Sequence, residues 1–410
     1  MCSSDLSLDL RLTGESHRLG AVPLAEDPRY SELEGRKATT GGFAAGWHFA
    51  PGQSLEMGWI DGKEDRWRGN VSGTTAYEDR YDLNRSHGHV AWQGRFTGWR
   101  AQAGYYRSEL DIVNTRTNGI SPTRPQNLSD EVFDAHAAIA LGGHLLTVGG
   151  EHRIETLKNS GLIGGEDDAT HQALFVQDEL ALTANLALTV GLRADDHEYF
   201  GTEYSPRAYL VWEVGPELVV KGGYGHAFKA PTLKQISPNY VGAEGPHTFY
   251  GNASVRPESS DSLEVGAEWR RGPLNVRGML FHSRIEDLIT YRLLSVSGSR
   301  RSYLYDNVNR AAVTGVEAGF TWDLAPGLSW NADLTLLKTE DRDTGAELAG
   351  RPKESLATRL DWRIGDGWSA RAGLEHIGRQ LDSSGVHVPC YTLWNASMAR
   401  QVGKIGRAHV

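Results

Sequence analysis

Residues 218–269 read LVVKGGYGHAFKAPTLKQISPNYVGAEGPHTFYGNASVRPESSDSLEVGAEW. From Leu218 the chain alternates: Leu218, Val220, Gly222, Tyr224, His226 and Phe228 fall on one side, Val219, Lys221, Gly223 and Gly225 on the other. A period of two sends successive side chains to opposite faces, so this is a strand with two unlike surfaces. After Phe228 the alternation gives way to more than thirty residues rich in Pro, Gly, Asn and Tyr. It resumes at Ser262, with Leu263, Val265, Ala267 and Trp269 on the apolar side. Two strands joined by a long polar loop are the expected unit.

The same unit recurs on both sides. Towards the N-terminus, Ser7–Leu12 is a first strand, and Ala38–Phe49 presents Phe43, Ala45, Trp47 and Phe49 on one face. The turn 50–53 leads to a strand bearing Leu55, Met57 and Trp59, then a polar loop over 68–86. His87–Phe96, Trp99–Leu110, Val132–Leu141, Leu145–Thr156, Gln172–Leu180, Leu186–Phe200 and Glu203–Val214 follow, with a long loop over 111–130. Beyond Trp269 come Leu274–Ile289, a loop over 290–309, Val313–Leu324, Leu328–Thr339, Ser355–Ile364, Trp368–Gln380 and Tyr391–Arg400. Short connectors alternate with long ones throughout, the arrangement of a transmembrane antiparallel β-barrel with tight turns at one rim and loops at the other. About seventeen or eighteen strands are expected, within the range of known barrels. Trp47, Trp99, Trp212, Trp269, Trp322, Trp330, Trp362 and Trp368 lie within a few residues of the short turns, where a membrane interface favours aromatic side chains. A β-propeller would repeat every ~40 to 45 residues. The turns near Pro51, Gly98, Gly143, Ala184, Gly215, Gly272, Pro326 and Asp366 are unevenly spaced and do not fit that pattern.

Composition agrees with an all-β barrel. The 410 residues include 48 glycines and 9% aromatics, yet mean hydropathy is negative. No stretch approaches the ~20 consecutive apolar residues of a spanning helix. A barrel needs apolar residues only at alternate positions, so its average hydropathy resembles that of a soluble protein. The net charge of -10 and the lack of a basic stripe argue against a nucleic-acid partner. Two cysteines, Cys2 and Cys390, supply neither a disulfide framework nor a CxxC metal site. Both ends look foreign. Cys2–Leu6 (CSSDL) and Lys404–Val410 (KIGRAHV) are translatable from the two strands of one sequencing adaptor. The expectation is that 1–6 and 404–410 are adaptor-derived, that 7–403 is barrel, and that the native protein continues past both ends.

Three segments carry a family likeness: GYGHAFKAPTLKQISPNY (223–240), FYGNASVRPESSDSLEVG (249–266) and YDNVNRAAVTGVEAG (305–319). They resemble the barrel of TonB-dependent outer-membrane receptors, nearest to the ferric-enterobactin and colicin I receptor branch. The likeness extends from about Ser7 to Gly403. It implies a bacterial outer-membrane barrel of about 22 strands around a globular plug, of which this chain would be a partial barrel lacking plug and last strands. As such it would neither close nor transport, because open sheet edges cannot face lipid. In whole receptors of this kind extracellular loops bind a scarce iron complex, and the TonB–ExbB–ExbD system of the inner membrane acts on the plug to admit it. The implied function is uptake of a ferric siderophore, catecholate in type, by a transporter that is not an enzyme and has no resident cofactor. Lipid, lipopolysaccharide and colicin-like bacteriocins are further implied partners. The same scaffold could import cobalamin, haem or another metal complex; a plugless porin and a soluble all-β binding protein are the remaining alternatives.

No catalytic pattern competes. The fifteen histidines show no HExxH spacing, and neither a GxSxG elbow nor a phosphate loop occurs. Glu340–Gly345 resembles a calcium loop but lacks a third acidic ligand and a distal Glu, and reads as a solvated loop. Arg193, Asp195, Glu264, Glu268, Arg359, Asp361, Arg363, Arg371 and Glu375 fall on inward positions, as a polar lumen requires. Binding is expected in the long loops. Lys229, Lys234, Tyr240, His247, Phe249, Tyr250 and Arg256 lie in the central loop, and Arg300, Arg301, Tyr303 and Tyr305 in the next. Guanidinium and ammonium groups beside aromatic faces suit an anionic, aromatic ferric catecholate by charge pairing, cation–π contact and stacking. Pro231 and Pro257 are expected to end strand pairing at the rim, and the glycines of Gly251-Asn252 and its neighbours to permit tight turns.

Overall fold

In the computed structural model, residues 7–119, 123–244, 246–382 and 385–402 are described. Their alternating pattern becomes a meander of eighteen antiparallel strands, each paired with its neighbours in chain order. The first half comprises β1 (Leu8–Leu19), β2 (Gly35–Ala50), β3 (Gln53–Ser72), β4 (Thr75–Phe96), β5 (Trp99–Arg116), β6 (Gln126–Leu141), β7 (His144–Asn159), β8 (Glu166–Thr183) and β9 (Leu186–His197). The second comprises β10 (Gly201–Gly215), β11 (Leu218–Lys229), β12 (Glu258–Arg271), β13 (Leu274–Ser297), β14 (Arg300–Ala325), β15 (Leu328–Asp341), β16 (Glu354–Gly365), β17 (Trp368–Ile377) and β18 (Tyr391–Arg400). Two short strands, Val241–Glu244 and His247–Tyr250, join the sheet at the mouth. A single continuous meander sets the propeller aside.

Register shows why alternation suffices. Leu188, Leu210, Gly222, Val265, Leu280, Val316 and Leu336 lie opposite one another across seven strands. All face outward, and a lipid environment makes such a band favourable. One residue along each strand points the other way, so Arg193, Glu264, Arg359 and Asp361 face the interior, as their positions in the sequence predict. Their charges are engaged there: Asp361 accepts from both Arg359 and Arg371 at 2.6 Å, and Asp195 from Arg193 at 2.8 Å. At the turn end, Trp212 opposes Leu186, Trp269 opposes Leu218, and Trp322 opposes Trp330. The eight tryptophans form a girdle near the tight turns. Gly52, Gly98, Gly272 and Gly327 take positive φ at these turns, which a side chain would strain.

Among the described residues β1 pairs with β2 alone, and β18 with β17 alone. The wall is thus a partial barrel with one strand edge at each end. Several elements differ from the expectation. Residues 68–86 and 290–309, read as loops, continue β3 into β4 and β13 into β14 as hairpins with turns near Gly73 and Gly298. Over 68–86 both faces are largely polar, and over 290–309 apolar residues fall on both faces, Leu293 and Leu294 in succession, so no period-two hydrophobicity marks either hairpin. β17 stops at Ile377, and Gln380–Leu381 pairs with His387–Val388 in a separate small hairpin. The expectations for residues 1–6 and 404–410 lie outside the described residues.

Candidate ligand site at the barrel mouth

The connection between β11 and β12 folds back across the mouth as a strap, residues 230–257. Pro231 follows the last paired residue of β11 and Pro257 precedes the first of β12, as their missing N–H groups favour. Between them, Thr232 caps the short helix α1 (Leu233–Ile236), with its backbone N–H donating to Gln235 Oε1 at 2.8 Å. The helix turns Leu233 and Ile236 inward, 3% and 0% exposed. Leu233 belongs to a small apolar core with Leu157, Leu162, Ala169 and Tyr240. This core pins the strap to β7 and β8. Lys234 Nζ reaches β6, donating to Gln126, and Val241 N–H donates to the Gly161 carbonyl at 2.8 Å.

The far end of the strap is fixed to β13 and β14. His247–Tyr250 pairs in parallel with β14, placing Phe249 opposite Tyr303 and Tyr250 opposite Leu304. Asn252 Nδ2 donates to the Tyr305 carbonyl at 2.9 Å. Asn307 Oδ1 accepts from Arg256 N–H at 2.7 Å, while its Nδ2 donates to the carbonyls of Arg256 and Asp287 at 2.9 and 2.6 Å. Asp287 takes φ 56°, an unusual value for a residue with a side chain, at a bulge where β13 changes register, and its carboxylate holds Arg256 at 2.6 Å.

This pairing assembles an aromatic cluster. The Phe249 and Tyr303 rings stack at 5.1 Å with 20° between planes, and Tyr291 meets both edge-on at 5.3 and 5.0 Å. His247 and Tyr305 complete the group, 6.1 Å from Tyr303 and 6.4 Å from Phe249 respectively. Arg300 and Arg301 stand exposed at the tip of the same hairpin. The sequence-predicted set therefore divides. His247, Phe249, Tyr303 and Tyr305 come together in one cluster built on strands, and Arg300 and Arg301 lie exposed at the tip of the hairpin that carries Tyr303 and Tyr305. Tyr250 lies beside it. Lys229 is ion-paired with Glu258 at 3.2 Å, Arg256 with Asp287, and Tyr240 is a core residue. Tyr291 was not in the predicted set; as the strand partner of Tyr305 it is found only once residues 290–309 are known to be a hairpin.

Loop electrostatics are local. Asp343 is held below the usual carboxylate range by hydrogen bonds from Arg310, whose Nη2 lies at 2.6 Å. Burial, and a hydrogen bond to Asp167 at 2.8 Å, push the Tyr199 phenol well above its ordinary value. Asp341 accepts from the backbone N–H groups of Asp343 and Thr344, so both aspartates of the calcium-like run are already engaged, one by the loop itself and the other by Arg310. Among the described residues no group of three or more His, Cys, Asp or Glu side chains is placed to hold a metal ion.

A long antiparallel meander with an apolar outer band, a charged interior and an aromatic girdle defines an outer-membrane β-barrel. Residues 20–405 match the family described as TonB dependent receptor-like, beta-barrel, and the chain belongs to that family. The family is one of receptors and not of enzymes. Among curated relatives, the iron-regulated outer membrane virulence protein of Vibrio cholerae is 28% identical over 78% of this chain and 49% of its own length. The ferric enterobactin receptor PirA of Pseudomonas aeruginosa is 31% identical over 59% of this chain and 37% of its own. The chain thus spans about half, or less, of the relatives it matches. The solved siderophore receptor PirA of Acinetobacter baumannii superposes with a TM-score of 0.80 over 97% of this chain and 70% of its own, at 17% identity. That likeness is one of fold.

Proposed function

We propose that this chain forms the barrel wall of a receptor that takes up a ferric siderophore of the catecholate type. The observation that carries the reading is the mouth cluster of Phe249, Tyr303 and Tyr291 on a hairpin whose tip exposes Arg300 and Arg301. Rings offer stacking faces to catechol, and guanidinium groups offset the negative charge of a ferric tricatecholate. Relatives named as ferric enterobactin receptors support the ligand class. Transport would draw on the TonB–ExbB–ExbD system through a plug, with lipid and lipopolysaccharide around the wall and colicin-like bacteriocins as opportunistic ligands. No reaction is catalysed and no resident cofactor is needed, since the iron complex is cargo.

Intrinsic tryptophan fluorescence of the protein in detergent micelles tests this. A ferric tricatecholate should quench it saturably, and cobalamin or haem should not compete. Arg300→Ala with Arg301→Ala should weaken binding several-fold. Saturable binding of cobalamin or haem in place of the iron complex would overturn the ligand class.

A further inference from the structure

The hairpin that carries Arg300 and Arg301 has two edges, and only one of them is covered. Along β14, Thr248, Phe249 and Tyr250 of the strap pair in parallel with Ser302, Tyr303 and Leu304. Along β13, pairing with β12 ends at Glu286, and the Ile289 N–H donates to the Glu258 carboxylate at 3.1 Å. From Thr290 to Ser297, among the described residues, no strand lies against that edge. Such an edge presents a row of N–H and C=O groups that is a template for a further strand.

Exposed edges are ordinarily guarded by lysine, proline, inward charge or bulges. Residues 290–297, TYRLLSVS, hold neither lysine nor proline, and the one charge, Arg292, is turned back to Asp306 at 2.9 Å. Only the register shift at Leu294 interrupts the run. Tyr291, Leu293, Leu294 and Val296 are each about half exposed, and every residue from Tyr291 to Arg301 is open to solvent.

The covered edge shows what the free one can take. Three paired residues suffice there, with Phe249 stacked on Tyr303. Tyr291 and Leu293 lie opposite Tyr305 and Tyr303, so a strand added to β13 would set alternate side chains against the far side of the same cluster. No acid occurs from Leu288 to Arg301, and two arginines stand at the tip. A second copy of the chain fits poorly: in one membrane both mouths face the same way, so like edges would run parallel and bring Arg292, Arg300 and Arg301 against their own kind. Lipid would leave the backbone groups of the edge unpaired.

We propose that the free edge of the β13–β14 hairpin docks an extended segment of an extracellular polypeptide by strand addition. The segment sets alternate apolar side chains beside Tyr291 and Leu293 and places acidic residues against Arg300 and Arg301. This site does not depend on the ferric-catecholate reading, and failure of that reading would leave it standing.

The test uses the protein in detergent micelles and a fluorescein-labelled peptide of two glutamates followed by alternating threonine and valine. Its anisotropy should rise saturably with the protein and not with empty micelles, and amide exchange over 290–297 should slow when it binds. The same peptide with all threonine and valine amides N-methylated keeps its side chains and loses its backbone donors, and should bind about tenfold more weakly. Leu293→Lys with Val296→Lys should weaken the unmethylated peptide by a similar factor. Equal affinity for the methylated peptide, or no binding of either, would overturn the proposal. Slow exchange over 290–297 without any peptide would show the edge already covered by another part of the chain, and self-association dispersed by the Lys pair would assign it to a second copy; either result overturns the proposal too. Should the Lys pair not fold, the comparison of the two peptides on the unaltered protein decides.

Discussion

The backbone of Gly251 lies directly against the carbonyl of Ser237. A Cβ built on Gly251 would stand 1.9 Å from that oxygen. Glycine is required there by the close approach of two backbones, with an ordinary negative-φ conformation, and the tight-turn role expected from its sequence context does not apply. Gly251→Ala should therefore prise the strap from its own helix at a cost of about 1–3 kcal/mol. Limited proteolysis should find new cleavage within residues 230–257 while far-UV circular dichroism of the barrel stays unchanged.

Asn307 makes three hydrogen bonds that close the other end of the strap. Asn307→Ala leaves the Asp287 and Arg256 carbonyls and the Arg256 N–H without this partner. Each hydrogen bond contributes about 0.5–1.5 kcal/mol, so amide exchange should rise at Arg256 and across 247–250. An unchanged exchange pattern would mean that the clamp does not hold the strap.

Val265 faces outward in the middle of the apolar band and Glu264 inward. Val265→Arg should destabilise the barrel in lipid vesicles by about 2–4 kcal/mol. Glu264→Gln, one position away, should cost far less, because the lumen hydrates either side chain. Urea titration in vesicles measures both, and equal losses would contradict the assigned faces.

The lowered Asp343 carboxyl gives a pH dependence of known sign. Because its folded value lies below the unfolded one, the Arg310 link contributes above about pH 4 and is lost as pH falls through the lowered value. The Arg310 amide, which donates to Asp343 Oδ2 at 2.9 Å, should exchange faster once the carboxyl is protonated. Asp343→Asn should remove the step.

Strand directions were legible wherever one face meets lipid and the other the lumen. Leu188, Val190 and Leu192 against Thr189, Gly191 and Arg193 leave no other reading. That signal fades above the membrane, where β3–β4 is largely polar on both faces and β13–β14 mixes apolar and polar residues on both, and the same hairpins read as loops. Sequence placed Arg300, Arg301, Tyr303 and Tyr305 near one another because they are adjacent. It could not bring Phe249 onto Tyr303, since that contact depends on a parallel pairing more than fifty positions apart.

Lys234 and Gln126 are separated by 108 positions, and Asn252 and Tyr305 by 53. Hairpins close locally, but neither of these contacts can form until the intervening strands are already side by side, and the loop-closure entropy of each long span must be met first. The wall is consequently expected to assemble before its mouth, and the strap to be the last part of the molecule to take shape. A lesion in any strand from the sixth to the fourteenth should therefore disturb the aromatic cluster at the rim, even when the altered residue lies far from every ring in it.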